Sequence, residues 1–164
     1  MSEVYVTCLA AYNAGTPHGA WIDLSDLCDS DMFDEAIDNI LKSSPASHAE
    51  EWAVHDYDDF PDLGEHPSRD EIVEKAKLIK EHGDVYLAAW SCDANYAKER
   101  CEDSFIGVAD SFREYCEQSL EEDSRYSELS DFGKMYFKLD SYVRDMESEL
   151  TAVEYDGRVY VFSS

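Results

Sequence analysis

VYVTCLAAYNAGTPHGAWIDL, residues 4–24, followed by DSDMFDEAIDNILK, residues 29–42, decides the fold class. Val4 to Ala10 is β-branched and apolar, Asn13 to Gly19 is rich in turn formers, and Ala20 to Leu24 is apolar again. That pattern predicts two strands joined by a loop. In the second stretch Phe33, Ala36, Ile37, Ile40 and Leu41 share one broad sector at 100° per residue, and Asp31, Asp34, Glu35 and Asp38 fall opposite. The prediction is an amphipathic helix whose outer face is all carboxylate.

Working outward, Ser43 to Ser47 breaks that helix, and His48 to Pro61 reads as a strand running into an acidic loop that carries Asp56, Asp58 and Asp59 and ends at Pro61, with Asp62 directly after it. From His66 to Asp84 a second helix is expected, with Ser68 and Glu71 at capping-box spacing and Gly83 where a helix stops. Asp84 to Ser91 reads as another short helix. Ala109 to Asp123 repeats the acidic pattern: Asp110, Glu114, Glu117 and Glu121 share a narrow sector, with Glu122 beside them and Phe112, Tyr115, Cys116 and Leu120 opposite. Tyr136 to Leu150 is a further helix, and Thr151 to Phe162 is a hairpin around Asp156-Gly157. Short helices interleaved with antiparallel strands make the class α+β.

Charge excludes several functions. The 164 residues hold 38 Asp and Glu against 13 Lys and Arg, a formal net charge of −25. A surface of that sign repels phosphate, so neither nucleic acid nor an anionic membrane is expected as a direct partner, and no apolar run nears the roughly 18 residues that span a bilayer. With 44% hydrophobic and 13% aromatic residues the chain is too apolar for the disordered class. Five scattered cysteines and no apolar leader point to a cytoplasmic protein with reduced thiols. No histidine or cysteine pair has zinc spacing. Asp29 to Ile40 fails as a calcium loop because Asp34 stands where Gly is required and Ile40 where Glu is required. No metal or cofactor is expected. No nucleophile or phosphate-loop motif is present either, so the chain is not expected to be an enzyme.

The placement of charge is more informative than its sum. Residues 1–68 carry 15 acids against Lys42 alone, residues 69–101 carry 7 acids and 6 bases, and residues 102–156 carry 16 acids and 5 bases. Two acidic blocks flank a nearly neutral middle. Carboxylates repeated at i,i+4 cost a helix roughly 0.2 to 0.5 kcal/mol per pair, and neither stripe has evident basic partners in its own sequence. One charge per turn is one per about 5.4 Å, a density of the same order as one phosphate per about 3.4 Å along a DNA strand. Such stripes suit a protein that occupies a basic DNA-binding groove in place of DNA. A rival reading is an acidic interaction module or chaperone that shields some other basic DNA-binding protein, and a third is an acidic housekeeping protein from a high-salt organism.

Several segments resemble one family in order along nearly the whole chain. Val4 to Leu24, with Tyr12, Asn13, Gly15, Gly19 and Trp21, is similar to the opening of the antirestriction protein ArdA. Glu50 to Pro61, Asp103 to Phe112, Tyr136 to Leu150 and the closing Val159 to Phe162 look like its later landmarks. Ile106-Gly107 and Lys138 depart from the family pattern. The resemblance implies an elongated chain of three small domains, placed here at 1–66 (acidic, α+β), 67–103 (near-neutral, mainly helical) and 104–164 (acidic, α+β, ending in the hairpin). It also implies a homodimer, encoded on mobile elements, that mimics DNA and competitively inhibits type I restriction-modification enzymes at their specificity and methyltransferase subunits. The phosphate mimics would be Asp31, Asp34, Glu35 and Asp38; Asp56, Asp58, Asp59 and Asp62; and Asp110, Glu114, Glu117, Glu121 and Glu122. Tyr12, Asn13, Gly15, Gly19 and Trp21 are expected to serve the fold, with Trp21 buried.

Overall fold

The computed structural model describes residues 2–27 and 29–164. It is α+β and forms two compact units, Met1–Gly83 and Asp84–Ser164.

The first unit is built on a three-stranded antiparallel sheet of order β2-β1-β3, formed by β1 (Glu3–Cys8), β2 (Gly19–Asp23) and β3 (Trp52–Asp58). The expected strands are present, and a short helix α1 (Leu9–Asn13) occupies part of their connection. Gly19 has a steric reason: a Cβ there would sit 2.5 Å from the Val6 carbonyl oxygen. Helix α2 (Ser30–Lys42) starts at Asp29, whose Oδ1 accepts the Met32 amide at 3.0 Å. Helix α3 (Arg69–His82) starts at Ser68, whose Oγ accepts the Glu71 amide at 3.2 Å, and stops at Gly83 with φ +58°. Both helices lay their apolar faces on the sheet: Phe33, Ile37 and Ile40 from α2 and Ile72, Val73 and Ala76 from α3 join Val4, Val6, Ile22 and Val54 in one core. Stripping water from side chains of this size contributes roughly 1.5 to 3 kcal/mol each.

The second unit opens with α4 (Asp84–Cys92), then α5 (Ala97–Glu99) and a wide helical turn at Arg100–Ser104. Its sheet has the order β4-β6-β5, from β4 (Phe105–Ala109), β5 (Leu150–Tyr155) and β6 (Arg158–Ser163). The hairpin turns at Asp156 and Gly157, both with positive φ (+44° and +73°), the geometry of the tight turn that Asp-Gly favours. Val159, Tyr160, Val161 and Phe162 are all buried, so β6 is covered on both faces. Between β4 and β5 the chain forms α6 (Phe112–Glu122), α7 (Ser124–Ser127), α8 (Asp131–Met135) and α9 (Leu139–Glu149). The apolar face of α6 is rooted by Cys116 and Leu120, and a Cβ at Gly107 would meet the Tyr115 ring at 2.8 Å.

The two departures from the family pattern fall where the core does not notice them. Ile106 lies at the irregularity where the β4 to β6 register shifts and is exposed, and Lys138 precedes α9 on the surface. Among the described cysteines, Cys8, Cys92, Cys101 and Cys116 are free thiols; Cys28 lies outside the described residues.

Candidate partner-binding surface

Helix α2 presents its carboxylates as its periodicity requires: Asp31, Glu35 and Asp38 are exposed and Asp34 is half-buried. The stripe is not free of bases, as its own sequence made it seem. Asp38 pairs with Lys42 at 3.0 Å, and Asp34 is gripped by the Arg69 guanidinium from the first turn of α3. Ser30 Oγ also donates to Asp70 Oδ1 at 3.0 Å. The Asp34–Arg69 and Ser30–Asp70 contacts fasten the starts of α2 and α3 to each other, and Asp31 and Glu35 are left as the outward anions of the helix without a Lys or Arg partner among the described residues.

The acidic loop after β3 is held rigid by its own apolar residues. Phe60 and Pro61 are buried, and the Phe60 ring stacks on Tyr57 at 6.2 Å. The Tyr57 hydroxyl donates to the Gly64 carbonyl oxygen at 2.6 Å, Asp62 Oδ1 accepts the Gly64 amide at 2.8 Å, and the Val54 amide donates to the Glu65 carbonyl at 2.9 Å. Burial, aided by the nearby Asp62 charge, pushes the Tyr57 phenol up to about 12. Asp56, Asp58, Asp59 and Asp62 all emerge exposed from this frame. A loop fixed in this way loses little conformational freedom when a partner docks on it.

In the second unit the stripe is shorter than periodicity implied. Asp110 lies before α6 rather than on it, and Glu114 is half-buried: its Oε2 accepts the Asp110 amide at 3.2 Å and its Oε1 accepts from Gln118 Nε2 at 3.3 Å. Ser111 Oγ accepts the Glu114 amide at 3.1 Å, the N-cap bond of α6. Glu117 pairs with Arg113 at 3.3 Å and Asp110 with Arg158 at 3.8 Å. Glu121 and Glu122 remain exposed, without a Lys or Arg partner among the described residues. Arg113 also reaches Asp140 at 2.7 Å, and both carboxylates raise the guanidinium pKa.

The family model of the antirestriction protein ArdA matches residues 4–160. The chain belongs to the ArdA family. No curated protein matches it. As an ArdA-family chain it is an antirestriction protein, and the two acidic faces are the features to weigh for that role. Among the described residues no helix is long and apolar enough to cross a membrane, and no three His, Cys, Asp or Glu side chains are grouped to hold a metal ion.

One reading of the ArdA landmarks needs correction. Trp21 is 44% exposed. Its neighbour Ile22 points into the core, so strand alternation turns the indole to the outer face of the sheet, where its ring meets Tyr5 at 5.4 Å. Two further features escaped the sequence reading. Glu3 and Asp23 flank that outer face, and the alternation Glu3, Tyr5, Thr7 is the signal that locates it. An apolar cluster is also exposed around α8, with Phe132 at 69%, Met135 at 76% and Tyr136 at 67% exposure beside Leu129. Pieces of four and five helical residues have too short a period to announce which side faces water.

Proposed function

We propose that this ArdA-family protein inhibits type I restriction-modification enzymes as a DNA mimic, filling the DNA groove of the specificity and methyltransferase subunits with its carboxylates. The observation that carries the reading is the outward placement of Asp31, Glu35, Asp56, Asp58, Asp62, Glu121 and Glu122, without a Lys or Arg partner among the described residues, on elements whose reverse sides are packed into core. The remaining candidates, Asp34, Asp38, Asp59, Asp110, Glu114 and Glu117, contribute negative potential while some of them also brace the helices. Over DNA, 25 charges correspond to roughly 40 Å of duplex at about 1.7 Å per charge. No bond is made or broken; inhibition is competition for a cationic groove.

The test is displacement of duplex DNA from a type I methyltransferase in a gel-shift competition at low salt. Displacement by sub-stoichiometric to equimolar protein supports the reading, and retention of the DNA at excess protein overturns it. The acidic-module alternative is separated by pull-down from a host lysate, where it predicts other basic DNA-binding proteins in place of restriction subunits.

The homodimer belongs to the same proposal. Exposed side chains of Leu129, Phe132, Met135 and Tyr136 form an apolar patch of a kind that usually marks an interface, and we assign the dimer contact to it.

A further inference from the structure

The outer face of the first unit's sheet carries an arrangement that the fold does not need. Glu3 of β1 pairs directly with Asp23 of β2 on one side and with Asp58 of β3 on the other. Direct cross-strand partners project from the same face, so three carboxylates form a row across the sheet at about 4.8 Å per strand. Like charges opposite each other destabilise a sheet. No Lys or Arg among the described residues makes an ion pair with Glu3, Asp23 or Asp58. The Ser25 amide donates to Asp23 Oδ1 at 2.8 Å and holds that carboxyl below its usual range. The next row, two residues along the strands, is Trp21, Tyr5 and Asp56, with the two rings edge to face at 5.4 Å. Beyond it Thr7 and Ala53 are buried. The open part of the face is therefore a carboxylate row bordered by an exposed indole.

We propose that this face is an arginine-accepting subsite, on which a guanidinium of the basic protein partner stacks on Trp21 while its N–H groups reach the adjacent Asp23 and Glu3 carboxylates, with Asp58 adding negative charge from the far strand. Charge complementarity selects a cationic occupant. The indole selects the planar one, because a guanidinium both stacks on a ring and donates in a fork, whereas an ammonium is a hydrated point charge. For the partner's identity the inference rests on the antirestriction reading; for the chemistry of the contact it stands on the sheet alone.

The experiment follows the indole N–H resonances of the full chain by NMR during titration with hexa-arginine peptide at low salt, with hexalysine as the comparison. Expected are a Trp21 shift on arginine binding, weaker binding of hexalysine, and about threefold to fivefold weaker hexa-arginine binding for Trp21→Leu. Glu3→Gln/Asp23→Asn/Asp58→Asn removes the response while the far-UV circular dichroism spectrum and a cooperative melt are retained, so its loss of binding is not loss of fold. An unresponsive Trp21, or Trp21→Leu binding hexa-arginine as the wild type does, overturns the subsite. In the methyltransferase displacement assay, Trp21→Leu should need about threefold more protein. If it competes like wild type, this face is not used on that enzyme and the partner assignment falls. If wild type binds hexa-arginine but displaces no DNA, the antirestriction mechanism fails while the arginine chemistry stands.

Discussion

Tyr57 shows how one side chain serves both fold and site. Its ring stacks on Phe60 and its hydroxyl closes the acidic loop onto Gly64. Removing the hydroxyl in Tyr57→Phe leaves the Gly64 carbonyl without this donor and should cost about 1 kcal/mol, read by urea denaturation at pH 7. The folded phenol titrates near 12 against about 10 when unfolded. A group raised in the folded state contributes stability that is complete below pH 10 and is lost as pH climbs from about 10 to 12. Wild type should therefore lose more stability than Tyr57→Phe across that interval; parallel alkaline profiles would contradict the assignment. Asp123 titrates in the opposite sense. Half-buried and forked by Arg125 at 2.6 Å, it is lowered to about 2, so whatever it contributes is present above about pH 4 and fades as pH falls toward 2.

Helix α2 was legible in the sequence almost residue for residue, because a 13-residue amphipathic run with an Asp cap leaves one solution for which side is buried. The hairpin at Asp156-Gly157 was legible for a similar reason, as few dipeptides tolerate two positive φ values in succession. Legibility ended where tertiary contacts decide. Arg69 stands 35 positions after Asp34, and no local period announces their pairing. Asp110 shares the angular sector of Glu114 yet precedes the helix, because Ser111 takes the cap position and its Oγ accepts the Glu114 amide. Trp21 looked like core until strand register put it opposite Tyr5. The stripe of α2 makes a prediction of its own. Asp31 and Glu35 are spaced i,i+4 without basic partners among the described residues, so Asp31→Asn/Glu35→Gln should shift folding stability by less than about 0.5 kcal/mol. The same variant should weaken DNA displacement at the methyltransferase, measured side by side with its thermal melt. Equal weakening of both would mean that the carboxylates serve folding, and the mimic reading would lose its best-placed pair.

For the molecule as a whole, net charge −25 sets two opposing demands. Repulsion between copies works against self-association, so a dimer requires apolar contact to offset it. Phe132→Ser/Tyr136→Ser should accordingly give a monomer in sedimentation equilibrium at a concentration where wild type is dimeric, with circular dichroism unchanged because both side chains are more than half exposed. A variant that stays dimeric would move the interface elsewhere. The same charge favours encounter with a basic groove, and that preference has a kinetic signature. Exposed carboxylates act at a distance set by the Debye length, about 30 Å at 0.01 M salt and about 8 Å at 0.15 M. Over that range the acids of each unit cease to add their fields at the distance of approach, while contacts already made at the surface are screened far less. Association with the methyltransferase should therefore slow by about tenfold or more between those salt concentrations, with the dissociation rate changing much less, as followed by stopped-flow fluorescence. If salt acts chiefly on dissociation, attraction is not steering the encounter, and the many unpaired carboxylates need a reason other than imitation of a polyanion.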